Sequence, residues 1–377
     1  MIPSQRHLFN IPNDIVYFNT AYMSPLLKSV VKAIGAGTRL KETPWKIKTP
    51  DFFENVDIVR NLFASLLNVL PENIAIIPSA SYGIETAAKN IKIKPNESII
   101  TIENQFPSNI YPWRRQEMQK GAKLIHVKQK PESSLTEALL NEINENCAVV
   151  AIPQVLWTSG ALIDLKKVKA LCHEVDAALV LDLTQSAGAL AIDLHEINPD
   201  FAIAANYKWL LGPYSTGFMY VSSKYFNGIP LEEGWITRKE SQDFSNLVKY
   251  TDFYQDGAIR FDMGERANFS LIPGVIAALQ QISLWGVKNI EDKLRSQNAY
   301  LAAGLNEIGL KTLPENKRGA HFLSATLPKG APNDFLARLE RKGIYISERG
   351  GNLRITPHLW NKQQDFDYFL SEVSSLL

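Results

Sequence analysis

The chain has 377 residues, 45% of them apolar and 21% charged, with 40 Lys+Arg against 39 Asp+Glu and a formal charge of +1. That balance leaves no positive excess to drive binding to a phosphate backbone, so nucleic acid is not expected as a main partner. The apolar fraction excludes a disordered chain, and the length allows two or three domains, or one large domain with a smaller one.

Cys147 and Cys172 are too few for a disulfide framework, which fits a reducing compartment. The six histidines are scattered, with no His-Glu-x-x-His or Cys-x-x-Cys spacing, so no metal is expected, and His195-Glu196 reads as a loop feature. The N-terminal MIPSQRHLFNIPND has no apolar run of signal-peptide length, and no apolar stretch approaches the roughly 20 residues of a membrane span. A soluble cytoplasmic protein is the expectation.

Val56, Val59, Phe63, Leu66 and Leu67 follow 3–4 spacing, which predicts a helix. From about residue 74 to 222, short apolar runs predict buried strands at 74–77, 98–102, 123–127, 147–153, 177–183, 201–205 and 216–221. Between several of them lie stretches with helical spacing, such as LTEALLNEI and DLKKVKALCHEV. This alternation predicts an α/β protein whose largely parallel sheet is covered on both faces. After about residue 265 come long helices (IPGVIAALQQISLW, then a run through Leu305) and a few strands in AHFLSATL, GIYISER and LRIT, which predict a smaller α+β domain. GAGTR at 35–39 lacks the third glycine of a dinucleotide fingerprint and has no clear strand before it.

In an open α/β sheet, ligands sit at the carboxyl ends of the strands. After the first run comes PSASYGIETAAKN, where hydroxyls, free N–H groups and a helix N-terminus could hold phosphate, or Ser79 could simply cap the helix. After the second comes Phe106, followed by a proline, which could stack on a planar ligand or fill the core. AALVLDL ends on Asp182, with Gln185 three residues on. A carboxylate in so apolar a setting needs a cation or donors, or caps the following amides. Lys208 follows another apolar run between Tyr207 and Trp209. Desolvation there lowers its proton affinity and makes the amine a usable nucleophile and base. Taken in order, these strand ends describe a pocket for a phosphorylated, planar, protonated heterocycle that forms an imine with lysine, and pyridoxal phosphate meets each requirement.

At these residues the sequence resembles the class V, fold-type I pyridoxal-phosphate enzymes, which include aminotransferases, cysteine desulfurases, kynureninases and isopenicillin N epimerase-like proteins. The likeness runs from YFNTAYMSP at 17–25 to LRITPHLWN at 353–361. It implies a large domain with a seven-stranded, mostly parallel sheet between helices, over residues 21–255. A small α+β domain would follow at 256–377, with residues 1–20 as an N-terminal segment packing on it. It also implies a homodimer with active sites at the subunit interface. By resemblance Lys208 would hold the cofactor through its imine, Asp182 would pair with the ring nitrogen, Gln185 would bond the phenolic oxygen and Phe106 would stack on the ring. Ser79, Ala80 (through its backbone), Ser81 and Tyr207 would bind phosphate, and Arg354 would clamp a substrate carboxylate, for which a guanidinium fork suits better than an ammonium.

Departures narrow the expectation. The ISERGGNLRITPH stretch lacks the cysteine that one class of desulfurases carries there, so that activity is disfavoured. Kynureninases usually have Asp in place of Asn109 and His in place of Gln185, and desulfurases place Asn near the ring where Trp157 falls. The Gly-Thr of a cross-subunit phosphate contact is matched by RFDMGERANFS, with Glu265 in the Thr position and Arg266 and Asn268 as candidates instead. Trp113, Trp157 and Trp209 are expected near the pocket and Trp285 in the core. The expected activity is amino-acid transamination, with epimerase, lyase and kynureninase-like hydrolase chemistry as alternatives, and a non-catalytic sensor or scaffold as the reading outside enzymes.

Overall fold

The computed structural model describes residues 2–129 and 133–377. In chain order the helices are α1 (Lys28–Leu40), α2 (Glu54–Leu66), α3 (Ala80–Asn90), α4 (Tyr111–Lys120), α5 (Leu135–Glu142), α6 (Leu165–Glu174), α7 (Leu194–Ile197), α8 (Ile272–Trp285), α9 (Val287–Glu307), α10 (Phe335–Arg341) and α11 (Gln363–Leu376). The strands are β1 (Val16–Tyr17), β2 (Ile74–Ile77), β3 (Ser98–Ile102), β4 (Lys123–Val127), β5 (Cys147–Pro153), β6 (Ala178–Asp182), β7 (Phe201–Ala205), β8 (Gly217–Val221), β9 (Lys311–Thr312), β10 (Leu323–Thr326), β11 (Ile344–Tyr345), β12 (Ser347–Arg349) and β13 (Asn352–Ile355).

Among the described residues the main sheet has seven strands in the order β2-β8-β7-β6-β5-β3-β4, the predicted number. Its inner strands read as nearly continuous apolar runs because both faces are covered. Ile74, Ile76, Ile100, Ile102, Leu179 and Leu181 enter one apolar cluster, while their neighbours Ala75, Ile77, Ile99, Ala178 and Val180 enter another. Residues alternate between the faces along a strand, so each face receives its own core. Helices α3 and α4 cover one face, and α2, α5, α6 and α8 contribute to the other. Gly83 of α3 lets that helix approach closely: a Cβ there would lie 2.7 Å from Ile203 Cγ1 and 2.9 Å from Ile77 Cδ1.

The strand directions decide where the site falls. β4, β3, β5, β6 and β7 run parallel to one another, and β8 alone runs against its neighbours β7 and β2. The carboxyl ends of β2, β3, β5, β6 and β7 and the amino end of β8 therefore meet on one edge. The smaller sheet, β12-β13-β10-β9, is antiparallel. β1 pairs parallel with β11, and Val16 and Phe18 share a third apolar cluster whose other buried members run from Leu301 to Val373. By contrast α8 packs on α1 and α2, and its buried residues belong to the sheet's own core. From this packing we propose that the small domain begins inside α9, between Leu294 and Leu301, and includes β1. The division expected at 256 treats α8 as a domain-opening helix, whereas its apolar faces close the large core.

Beneath β2 lies a buried ionic knot. Asp262 accepts from Arg60 at 3.2 and 2.7 Å, from the backbone N–H of Ile76 at 2.7 Å, and from Arg266. All three side chains are almost fully buried. Among the described residues no helix is long and apolar enough to cross a membrane, and no cluster of three His, Cys, Asp or Glu could hold a metal ion. Removing Asp262 strands two buried guanidinium groups, so Asp262→Ala should lose roughly 3–5 kcal/mol of unfolding free energy in urea titration. A loss under about 1 kcal/mol, the range of exposed pairs, would mean that the knot is solvated.

Candidate active site

The strand ends enclose two joined chambers. The inner one, about 220 Å³, is lined by Ser79, Ala80, Ser81, Gln105, Phe106, Trp157, Asp182, Thr184, Gln185, Tyr207, Lys208 and Thr216, among others. The outer one, about 320 Å³, shares Phe106, Trp157, Tyr207, Lys208 and Tyr214 with it and adds Ala21, Tyr22, Met23, Arg349 and Arg354. Ser79, Ala80, Ser81, Phe106, Trp157, Asp182, Gln185, Tyr207 and Lys208, all expected at the site, line the inner chamber, and Arg354 lines the outer one.

Lys208 sits in the loop that reverses β7 into β8. Asn206 holds the two stems together through its N–H to the carbonyl of Thr216 (3.0 Å) and its Nδ2 to Thr216 Oγ1 (3.0 Å). Leu211 and Ser215 take positive φ of 55° and 63°, a conformation such side chains avoid unless their surroundings fix it. Gly188, at φ +92°, lets the DLTQSAG turn lie against this loop, since a Cβ would meet the Trp209 carbonyl at 2.6 Å. The lysine is 5% exposed, and its Nζ lies 5.5 Å from the Phe106 ring centroid and 5.4 Å from that of Tyr207. Burial pulls its pKa down to about 8; Asp182 works against the fall, and Arg354 and Arg349 add to it.

Asp182 ends β6. Its Oδ1 accepts the Thr184 N–H at 3.0 Å, while Oδ2 takes no hydrogen bond from the described residues, although the side chain is buried. Gln185 is held from both ends: Nε2 donates to the Ala21 carbonyl at 3.0 Å and Oε1 accepts from Trp209 Nε1 at 3.0 Å. One amide N–H remains for the cavity. Ser79 caps α3 by accepting the Tyr82 N–H, and its hydroxyl lies 2.9 Å from that of Ser81. The capping alternative and the anion-site alternative thus coexist in one residue, because the cap leaves the first turn's N–H groups and both hydroxyls at the chamber wall. Phe106 and Trp157 meet edge to face at 5.3 Å. Burial, with Tyr214 and Asp182 nearby, raises the Tyr207 phenol to about 12.

Arg354 is 2% exposed and makes no ion pair among the described residues. Its Nε and Nη2 donate to Ser347 Oγ at 3.0 and 2.9 Å, and its Nη1 donates to the Trp157 carbonyl at 3.2 Å. Of five N–H donors, one on each terminal nitrogen is left, the fork that a carboxylate matches. Burial and the charge of Arg349 lower its pKa to about 10, the electrostatic mark of a cation without its anion.

Some residues have other places than the sequence suggests. Trp113 is fully buried in the apolar cluster between the sheet and helices α3 and α4, where its Nε1 donates to Asn109 Oδ1, and it lines neither chamber. Trp209 is also fully buried and reaches the site through Gln185. Trp285 is in the core as expected. Arg266 is locked onto Asp262 and 1% exposed, which removes it as a donor to a second subunit; Asn268 is exposed and accepts the N–H groups of Ser270 and Leu271. Gln105, Thr184, Tyr214, Thr216, Tyr22 and Arg349 line the chambers without having been singled out. Gln105 had a readable position, one residue before Phe106. Its Oε1 is taken by the Phe106 N–H, and its buried Nε2 has no partner, as expected of a donor awaiting a ligand.

A mostly parallel sheet whose strand ends gather a buried lysine, a half-satisfied aspartate and a hydroxyl-lined helix start defines a fold-type I pyridoxal-phosphate enzyme, and the donor set fits that cofactor's amine, ring and phosphate requirements. The family model for aminotransferase class-V matches residues 38–359, and the chain belongs to this family. It is 29% identical over 280 residues to a kynureninase from Bacillus anthracis, covering 69% of this chain and 64% of that enzyme's length. In fold it is similar to a C-DES protein with glycine covalently linked to its PLP cofactor (TM-score 0.89, 19% identity, 99% and 100% of the two chains). It is also similar to an apo cysteine desulfurase from Thermococcus onnurineus NA1 (TM-score 0.85, 19% identity, 100% and 98%).

The lysine's environment sets a pH dependence. In cofactor-free protein, capture of pyridoxal phosphate needs the neutral amine, so its rate should rise with pH through about 8 instead of the ordinary 10.5. Removing a depressing charge (Arg354→Ala) should move that midpoint up, and Asp182→Asn should move it down. Stopped-flow absorbance at graded pH checks both signs.

Proposed function

We propose that this chain is an aminotransferase acting on a free amino acid, with Lys208 as the acid–base group. When bound, pyridoxal phosphate supplies the electron sink for bonds at the amino acid's Cα. Lys208, Asp182, Gln185, Phe106, Ser79, Ala80, Ser81 and Tyr207 would hold it in the roles their family counterparts have, and Gln105 Nε2 and Thr216 add donors to that set. Asp182 Oδ2 keeps a ring nitrogen protonated, because a nearby carboxylate favours the cation. Arg354 binds the substrate carboxylate through its two remaining donors, and the ring of Trp157, 5.8 Å from the guanidinium carbon, closes that side.

The observation that carries transamination is the set of titratable groups around the outer chamber. Beside two guanidiniums and three tyrosines, Lys208 is the one amine among the described lining residues, and burial lowers its pKa to about 8. A single amine would suffice to take the proton from Cα and deliver it to the cofactor's own carbon on the same face, which transamination needs; inversion needs a proton donor on the opposite face. Persulfide chemistry by a cysteine of this chain is disfavoured: Cys147 and Cys172 are buried, line neither chamber, and have thiols pushed up to about 11 and about 12 by burial. Kynureninase-like hydrolysis is the second reading, favoured by the aromatic walls of the outer chamber. Asn109 weighs against it, since its side chain faces Trp113 and not the chambers. A homodimer in the cytoplasm completes the reading.

Purified protein with pyridoxal phosphate, an amino-acid panel and keto-acid acceptors should give keto acids by mass spectrometry, with Lys208→Ala slower by roughly 10²–10⁴-fold. Inverted amino acid or a cleaved side chain as the main product would overturn transamination. Arg354→Ala should act on KM far more than on kcat; an unchanged KM for carboxylate substrates would remove its role.

A further inference from the structure

The outer chamber holds a second arginine that the carboxylate clamp does not use. β12 and β13 are joined by Gly350 and Gly351, both at positive φ (57° and 76°), the geometry of a tight two-residue hairpin turn. In this hairpin Ser347 is paired with Arg354 and Arg349 with Asn352. Since side chains alternate along a strand, Ser347, Arg349 and Arg354 share one face, with the two arginines as diagonal neighbours about 7–8 Å apart. Both line the outer chamber. The turn fixes the register, so Arg349 is held at the chamber mouth by backbone geometry.

Nothing among the described residues neutralises this pair. Among the described residues neither arginine forms an ion pair, and the outer chamber is lined by no Asp or Glu. The half-buried Arg349 has a single hydrogen bond, from Nη1 to the carbonyl of its neighbour Glu348 (2.6 Å), which leaves most of its donors free. Partly buried positive charge without a protein counter-ion is costly unless a ligand supplies one. One carboxylate satisfies Arg354, and a second anion on the same molecule satisfies Arg349.

We propose that the substrate is a dicarboxylic amino acid, its α-carboxylate on Arg354 and its side-chain carboxylate on Arg349. This rests on the reading of Lys208 and Arg354 given above and adds a specificity-determining residue to it. The aromatic walls (Tyr22, Trp157 and Tyr214) serve the methylene stem between the two anions and exclude water from the charge pairs.

The test compares ligands that differ by one anion. With cofactor-loaded enzyme, calorimetry should show succinate binding more tightly than butyrate by roughly 10- to 100-fold, the effect of one added charge-assisted contact. L-Glutamate and L-aspartate should perturb the visible band at lower concentration than L-glutamine and L-asparagine by a similar factor. Arg349→Gln should bring both ratios close to one, and Arg349→Lys should restore part of them. Ratios near one in the unaltered enzyme, or ratios that survive Arg349→Gln, overturn the proposal. A protein with no Lys208-dependent visible band overturns the parent reading instead, and the succinate-to-butyrate ratio is still measurable there, so the two failures are separable.

Discussion

The site depends on keeping an ammonium-forming side chain out of water next to more positive charge than negative. Lys208 is enclosed by Phe106 and Tyr207, faces one carboxylate, and feels two guanidiniums across the outer chamber. Such an arrangement works against folding, since each desolvated cation disfavours its own charged form. It persists because the surrounding elements are over-determined: a two-faced sheet, a loop stapled by Asn206 and Thr216, and helices pressed close to the strands at Gly83. Reactivity at the amine and rigidity of the frame are thus two sides of one constraint.

The charge pattern also divides labour between the chambers. The inner one contains the acid, the hydroxyls and the helix start, which suit a ring nitrogen and a phosphate. The outer one contains arginines and aromatic rings, which suit an anionic substrate with a short apolar stem. Lys208 and Phe106 belong to both, at the boundary where chemistry has to occur.

Much of this was legible in the amino-acid order. Strands β2, β3, β5 and β7 begin and end where the apolar runs do, because burial on both faces leaves little polar interruption to blur the ends; the edge strand β4, with Lys123 and His126 exposed, and α8 also coincide with their stretches. Lys208, Asp182, Ser79 and Phe106 were readable for a related reason: polar or aromatic residues directly after such runs fall on the strand-end rim. Arg349 and Tyr22 were not, since their place in the chamber depends on how the β12–β13 hairpin and the N-terminal segment cross the sheet's edge. That is long-range geometry without a local signature. Trp113 misled for the opposite reason: a tryptophan close in sequence to Phe106 points away once α4 turns. Arg266 did so because its partner, Asp262, is four residues upstream but belongs to a knot completed by Arg60, some 200 residues away.

One strap of chain ties these parts together. Past β1, which adds to the small domain's β11, Asn19 accepts from the same Ser347 hydroxyl that steadies Arg354. Two residues later the Ala21 carbonyl fixes Gln185 at the floor of the inner chamber, and Tyr22 and Met23 finish as walls of the outer one. Clamp, floor and mouth are therefore strung on five consecutive residues, so a tug at any one of them is felt by the other two. The leading stretch of this polypeptide acts as a drawstring for the catalytic cleft.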